Sequence, residues 1–373
     1  MANKRGRPKK NKEIPLSKES EEKVKQGLKE AREGKTEKLI ITDKDRIERD
    51  TEETKENLYP PVTFKENPNL KKAVGELTKA FGHDVFHYAS AEPIKERLAF
   101  VVPEVNQMIT GIQMGSFSIL WGNKSCAKTT ATYYFIAQAQ KLGKACAYFD
   151  LENGFDLIWA EKCGVDLNRL LIGHFENAEE AMDSLIKLCK TKSIDFVVLD
   201  SVHSLSPEGE QETKKGVEKS TSDNSMALLA RRLSQFFRMS NDGLYRGKVG
   251  VLLIGQARVD LGSFIKLEKL TGGHALSHYS CLTLKMMRGQ KVDAPVYKFS
   301  FVNAKGAKKT KQIIIGFSLV IKIEKTKISG TAPENSEIRI PFYYEYGFIK
   351  PTDEQIETLY KDFIEYEKES EEE

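Results

Sequence analysis

Residues 122–130 read Gly122-Asn123-Lys124-Ser125-Cys126-Ala127-Lys128-Thr129-Thr130. They nearly match G-x-x-x-x-G-K-[ST], a loop whose backbone N–H groups point at phosphates, whose Lys reaches the β and γ oxygens and whose hydroxyl ligates Mg²⁺. Gly122, Lys128 and Thr129 fill those roles. Ala127 stands where the second glycine is expected. It keeps the side chain small but loses free access to positive φ, so the loop must take a conformation that an L-residue can reach. Two acids could complete the chemistry. Asp200 ends Ile194-Asp195-Phe196-Val197-Val198-Leu199, which reads as a buried strand, where a carboxylate can order Mg²⁺ or its water shell; alternatively it caps the next turn. Glu152 follows the run Ala145 to Asp150. There it can orient and deprotonate a water beside a γ-phosphate, or serve as a solvated loop acid.

These residues need a scaffold, and the surrounding pattern provides one. Phe117 to Trp121, Ala145 to Asp150, Ile194 to Asp200 and Val249 to Gln256 read as buried strands. Between them lie helical stretches from Ala131 to Leu142, Leu157 to Cys163, Ala178 to Lys190 and Met226 to Met239. Further apolar runs cover Cys281 to Met287 and Phe317 to Ile323. Val/Ile/Leu-rich strands alternating with helices predict an α/β fold, a mostly parallel doubly wound sheet covered on both faces. Ligands bind such sheets at the carboxyl ends of the strands, where the candidate acids fall. The spacing of Val74, Leu77 and Phe81 predicts a short helix, and Leu98 to Val102 a strand.

The chain has 373 residues, 40% of them hydrophobic, and a formal charge of +4. That charge is too small to indicate partners, but its distribution is uneven. The first twelve residues hold Lys4, Arg5, Arg7, Lys9, Lys10 and Lys12 without an acid; the last twelve hold Asp362 and six glutamates against one Lys. Residues 1–60 carry too little apolar surface to offset the entropy of ordering. The organisation expected is a disordered charged arm over 1–60, a small oligomerisation annex over 61–112, an ATPase core over 113–350, and a helix with an acidic tail over 351–373. Five cysteines without C-x-x-C spacing argue against a disulfide framework or a zinc site. No apolar run approaches a membrane span and no signal peptide is apparent, so a soluble intracellular protein in a reducing compartment is expected.

Five motifs in order resemble the RecA recombinases over roughly residues 98 to 349, most closely RecA and its phage counterparts of the UvsX kind. They are the phosphate loop, Phe149-Asp150-Leu151-Glu152, Val197 to Ser201, Ile254-Gly255-Gln256-Ala257-Arg258 and Leu270-Thr271-Gly272-Gly273-His274-Ala275-Leu276. In the phage proteins the loop's second glycine is also replaceable. The resemblance implies a RecA-type ATPase core using ATP and Mg²⁺, with Glu152 as catalytic glutamate and Gln256 as sensor of the γ-phosphate. It implies that Asp156 and Trp159 contact adenine, Trp standing for the family's Tyr. Lys325 and Lys327 resemble paired lysines that reach a neighbouring subunit's ATP; on residues alone they are equally a solvated strand face, since alternate strand residues point the same way.

The same resemblance implies two DNA-facing loops, 206–225 and 257–270. In the second, Arg258, Lys266 and Lys269 supply cations for phosphates, while Leu261, Phe264 and Ile265 can wedge between bases. Leu261, Phe264 and Ile265 could instead be core residues of a turn, but Gly262 and Ser263 between them favour a mobile loop; with this loop, the Gly272-Gly273 turn argues against a hexameric helicase. Arg231 matches a family arginine near DNA, or is a helix-surface charge. Lys4-Arg5-Gly6-Arg7-Pro8 resembles an AT-hook, in which Arg5 and Arg7 enter a narrow A·T minor groove; a nonspecific polybasic arm fits the residues equally. Only 24 residues follow Ile349, so the compact domain that follows the core in RecA is not expected. The Lys-rich segment from Gln290 to Gln312 reads as a second DNA-facing surface or a solvated hairpin. The function expected is a DNA-dependent ATPase that forms helical filaments on single-stranded DNA and pairs it with duplex DNA. It would work in the nucleoid of a bacterial or phage-infected cell, with single-strand-binding and loader proteins as partners and no membrane. The alternatives are a RecA-fold helicase or accessory repair ATPase, and a DNA-binding scaffold clamped by ATP.

Overall fold

The computed structural model describes residues 67–82, 86–92, 94–205, 226–259, 268–270, 273–302 and 306–369. The charged arm with Arg5 and Arg7, the loop 206–225, the loop tip 260–267 with Leu261, Gly262, Phe264, Ile265 and Lys266, the residue Gly272, and residues 370–373 lie outside them. The chain divides into two compact units, residues 1–92 and 93–373.

In the first unit, α1 (Pro68–Phe81) starts where the Asn67 side chain accepts the N–H of Asn69 at 3.0 Å. Pro68 occupies the first turn, where no N–H is needed. The helix stops at Gly82, whose left-handed φ of 73° lets its N–H return to Thr78 O. Leu70, Val74 and Leu77 border a groove shared with Phe86 and Tyr88.

The second unit opens with β1 (Arg97–Leu98), α2 (Pro103–Ile109), β2 (Ile112–Gln113) and β3 (Phe117–Gly122). The strand expected over Leu98 to Val102 is mostly absent. Pro103 has no N–H for a ladder and is suited to a helical first turn, so α2 begins there instead. Next come α3 (Lys128–Lys141), β4 (Cys146–Asp150), α4 (Leu157–Lys162), β5 (Leu170–Gly173), α5 (Ala178–Thr191), β6 (Phe196–Asp200) and α6 (Met226–Gly247). The chain continues through β7 (Gly250–Val259), β8 (Glu268–Leu270), α7 (Gly273–Tyr279), β9 (Ser280–Arg288), β10 (Val296–Val302) and β11 (Lys308–Ile314). It closes with β12 (Gly316–Thr326), β13 (Glu337–Tyr343), α8 (Asp353–Leu359) and α9 (Lys361–Glu369).

Eight strands form the main sheet in the order β13-β12-β9-β3-β7-β6-β4-β5, with β8 paired to β7 as a ninth. From β9 to β5 every neighbour is parallel; β12 and β13 add an antiparallel edge. The expected α/β, mostly parallel, doubly wound fold is therefore the observed one. The even and odd residues of β3 show why both of its sides are buried: Leu120 faces one core with Ile136 and Leu284, Ile119 and Trp121 the other with Phe237 and Leu253. α3 is buried on nearly all sides, from Lys128 to Gln140, so apolar residues encircle it instead of forming a stripe. The register sets Gly122 beside Gln256 and Asp150 beside Asp200. All four thus lie along one carboxyl edge of the sheet. Among the described residues, no helix is long and apolar enough to cross a membrane.

Apart from this sheet, β10 and β11 pair only with each other, in the described residues. A separate apolar cluster of Phe299, Ile313, Ile315, Tyr343, Ile356 and Ile364 joins this ribbon to α8 and α9.

Candidate nucleotide site and its neighbours

The loop between β3 and α3 is tight because its backbone turns left-handed twice, at Ser125 (φ 57°) and Ala127 (φ 59°, ψ 25°). Ala127 thus takes the conformation that glycine would take freely, at a cost of about 1–2 kcal/mol. Gly122 is required for another reason. A Cβ there would lie 2.0 Å from Met286 O on β9. The Lys128 ammonium is buried and donates to Asn123 O at 2.6 Å and Gly122 O at 3.2 Å. It folds back over the loop. Beside the loop, a cavity of about 330 Å³ is bounded by Ser125 to Thr130, Arg288, Phe317, Phe342 and Tyr344. Arg288 closes it by donating Nε to Ser125 O at 2.9 Å.

Thr129 donates Oγ1 to Asp200 Oδ2 at 2.9 Å, and Tyr148 donates its hydroxyl to the same oxygen at 2.7 Å. The hydroxyl and carboxylate that would ligate Mg²⁺ therefore already face each other, and the donor set fits a hard cation. Burial pushes the Asp200 carboxyl up to about 6, with the nearby Glu152 adding to the effect; the two hydroxyl donors and Lys128 pull the other way. The Tyr148 hydroxyl is raised well beyond its usual range by burial and by Asp200, which keeps it a donor.

Glu152 is exposed in the bend after β4, yet its carboxylate is engaged by neighbouring side chains. Its Oε1 accepts from Gln256 Nε2 at 2.6 Å, Ser201 Oγ at 2.5 Å and Ser204 Oγ at 3.1 Å. Asp150 shapes the turn behind it, taking the N–H groups of Gly154 and Phe155 at 3.0 Å each. On the other flank, Gln256 N–H donates to His203 Nδ1 at 2.9 Å. Asp156 caps α4 by accepting the Trp159 N–H at 2.9 Å, and Trp159 Nε1 donates to Thr130 Oγ1 at 3.0 Å. Both sit beside the loop, engaged with the protein itself.

The Lys325 ammonium contacts the carbonyls of Ser277, His278 (3.1 Å) and Ser280 (2.9 Å), and Lys327 reaches His278 O at 2.9 Å. Both lysines thus sit at the carboxyl end of α7, where cations suit the helix dipole. Burial, with Lys327 close by, lowers the Lys325 ammonium below its ordinary value. Arg231 is exposed near the start of α6, while its neighbour Arg232 pairs with Glu179 at 3.0 Å. Arg258 and Lys269 stand opposite one another in the β7–β8 ladder, which forms the base of the second loop, and Gly273 begins α7.

Tyr148, Ser201, His203 and Glu268 escaped sequence reasoning. Glu268 Oε1 accepts from Asn123 Nδ2 at 2.6 Å, and Oε2 pairs with Lys285 at 3.0 Å. These contacts, the Asn123 bond foremost, hold the Glu268 carboxyl below its usual range. They tie the phosphate loop to the strand that returns from the second loop. The sole signal was an acid after the basic and apolar residues of that loop, and nothing in the chain order pointed to Asn123.

Residues 69–333 match the family model of the RecA N-terminal domain. The chain is 32% identical over 243 residues to Protein RecA of Haemophilus ducreyi, covering 65% of this chain and 59% of that protein. It is 33% identical to Protein RecA of Mannheimia haemolytica with the same coverage. To Protein RecA of Ruegeria pomeroyi it is 32% identical, covering 65% and 63%. The chain spans about three fifths of the length of these curated relatives.

Proposed function

Because the chain belongs to the RecA family, we propose that it is an ATP-dependent DNA recombinase. It assembles as a helical filament on single-stranded DNA, pairs that strand with a homologous duplex and releases it on ATP hydrolysis. The observation that carries this reading is the contact between Glu152 and Gln256. It links a water-orienting acid at the phosphate edge to the strand that enters the second loop, which is what coupling of hydrolysis to DNA requires. A scaffold that only clamps ATP has no use for such an acid.

In this reading Gly122 to Thr130 hold the triphosphate, with Lys128 exchanging its loop carbonyls for phosphate oxygens. Thr129 and Asp200 would hold Mg²⁺, which neutralises charge on the phosphates. Glu152 takes a proton from the attacking water. Asp156 and Trp159 flank the base, and Lys325 and Lys327 serve the ATP of a neighbouring subunit. The residues 257–270 bind single-stranded DNA, with Arg231 and the basic amino-terminal arm as further contacts. The groove of Leu70, Val74, Leu77, Phe86 and Tyr88 suits the annex to subunit contact, and the bacterial cytoplasm is the proposed location.

Negative-stain imaging of the full chain with single-stranded DNA and a non-hydrolysable ATP analogue tests the proposal. Helical filaments that depend on both ligands are expected. Closed rings would favour a helicase, and isolated particles an accessory ATPase; either overturns the reading.

A further inference from the structure

We propose that the ribbon β10–β11 is a contact surface for duplex DNA, with Lys298 and Lys308 bearing on phosphates at the two walls of the major groove. The inference rests on the reading that the chain acts on DNA. The ribbon runs through seven antiparallel pairs, from Val296 opposite Ile314 to Val302 opposite Lys308. Its strands, VYKFSFV and KKTKQII, contain four lysines and no acid.

The two faces differ in kind. Tyr297, Phe299, Phe301 and Ile313 pack against the cluster formed with α8 and α9. On that side Lys311 pairs with Glu367 at 2.5 Å, and the Tyr297 hydroxyl donates to Glu357 at 2.5 Å. The opposite face is exposed throughout and presents Lys298, Ser300, Lys308, Thr310 and Gln312, with Val296, Val302 and Ile314 towards its ends; Lys298, Thr310 and Gln312 also border a cavity with Phe363 and Glu367 of α9. Ser300 and Thr310 share a 2.9 Å hydrogen bond across its middle. Among the described residues neither Lys298 nor Lys308 enters an ion pair.

Geometry selects the ligand. Lys298 stands opposite Gln312 and Lys308 opposite Val302, so the two cations are four residues apart along the ribbon, about 13 Å. The major groove of duplex DNA is about 12 Å wide and admits a two-stranded ribbon lying along it. Because Lys298 is on β10 and Lys308 on β11, each lysine is then nearer the phosphates of a different DNA strand, offset along the groove, while hydroxyls and an amide face the groove between them. Single-stranded DNA fits less well. Binding it draws on exposed aromatic rings for stacking, and the ribbon turns all three of its rings inward. The bracing from α8 and α9 orders the ribbon backbone before contact, so that part of the ordering entropy is not lost on binding.

The test is Lys298→Gln with Lys308→Gln in the full chain, both at exposed positions that leave the inner cluster intact. Binding of a fluorescent blunt duplex and of a single strand of equal length is measured across a salt series, with an ATP analogue present. Loss of two phosphate contacts should lower the salt slope for duplex by about two and weaken low-salt duplex affinity roughly tenfold. Single-strand affinity and single-strand-stimulated ATP turnover should stay within about twofold. Unchanged duplex affinity and slope would overturn the proposal, as would an equal loss for both DNAs, or a defect confined to self-association. Wild-type chain that neither binds single strands nor hydrolyses ATP would instead overturn the recombinase reading, so the two failures are distinguishable.

Discussion

Gln256 donates its side-chain amide to Oε1 of Glu152 across 2.6 Å. Glu152 follows β4, whereas Gln256 sits within β7, which leads into the second loop. The bond therefore joins the proposed hydrolytic base to the proposed DNA element with no residue between them.

Gln256→Ala should leave nucleotide binding nearly intact while shrinking the difference in single-strand affinity between ATP-analogue and ADP states. By reciprocity, the effect of DNA on ATP affinity should shrink by the same factor. Fluorescence anisotropy in both nucleotide states measures this. Glu152→Gln, which keeps the shape and loses the base, should bind both ligands while turnover falls by about a hundredfold.

Glu268→Ala cuts the tie between Asn123 in the phosphate loop and β8. It should reduce the same nucleotide-dependent affinity difference by a route separate from Gln256. Asn123→Ala removes the same bond but leaves the Glu268–Lys285 pair, so its effect should be in the same direction, and adding it to Glu268→Ala should change nothing further. Additive effects in that cycle would mean the two residues act apart.

Asp200→Asn tests the cost of burying this carboxylate. Its carboxyl lies near 6 in the fold, against an ordinary 3.8, so between about pH 4 and 6 the folded protein binds more protons than the unfolded chain. The group's contribution to stability then falls as pH rises through that window and is fully lost above it. The variant keeps an oxygen for Thr129 and Tyr148 but carries no charge. Without nucleotide or Mg²⁺, its Tm should exceed the wild type's by several degrees at pH 7.5, with the gap closing toward pH 4.5. A gap that is constant with pH would remove the carboxylate from this account.

Ala127→Gly should relieve the left-handed strain in the phosphate loop. The gain is about 1 kcal/mol, reduced by the greater freedom of glycine in the unfolded chain. Calorimetry should show a Tm higher by about 1–3 °C.

The parallel sheet was legible because strands buried on both faces must be continuously apolar, as Phe196 to Leu199 are, and helices such as α5 carry a stripe. The phosphate loop was legible because its chemistry is local. Long-range contacts were not. Glu152 read equally as a solvated acid, because Ser201, Ser204 and Gln256 surround it only after three strands align. The ribbon was legible as a Lys-rich excursion, but which of its lysines face outward depends on register, and register depends on the Tyr297, Phe299 and Phe301 face finding α8 and α9. The half-buried β5 had no pattern strong enough to mark it as a strand.

The lysines at the end of α7 have a consequence for selectivity. Lys325 and Lys327 hold the carbonyls of Ser277, His278 and Ser280, so neither ammonium waits unpaired in water. Any ligand that recruits them must outcompete those carbonyls together, which a single weak anion does poorly and a clustered negative charge does well. In the proposed role, the resting contacts would therefore set a threshold that favours polyphosphate over buffer ions. Releasing them would also free the carboxyl end of α7, so that helix would register the arrival of such a charge.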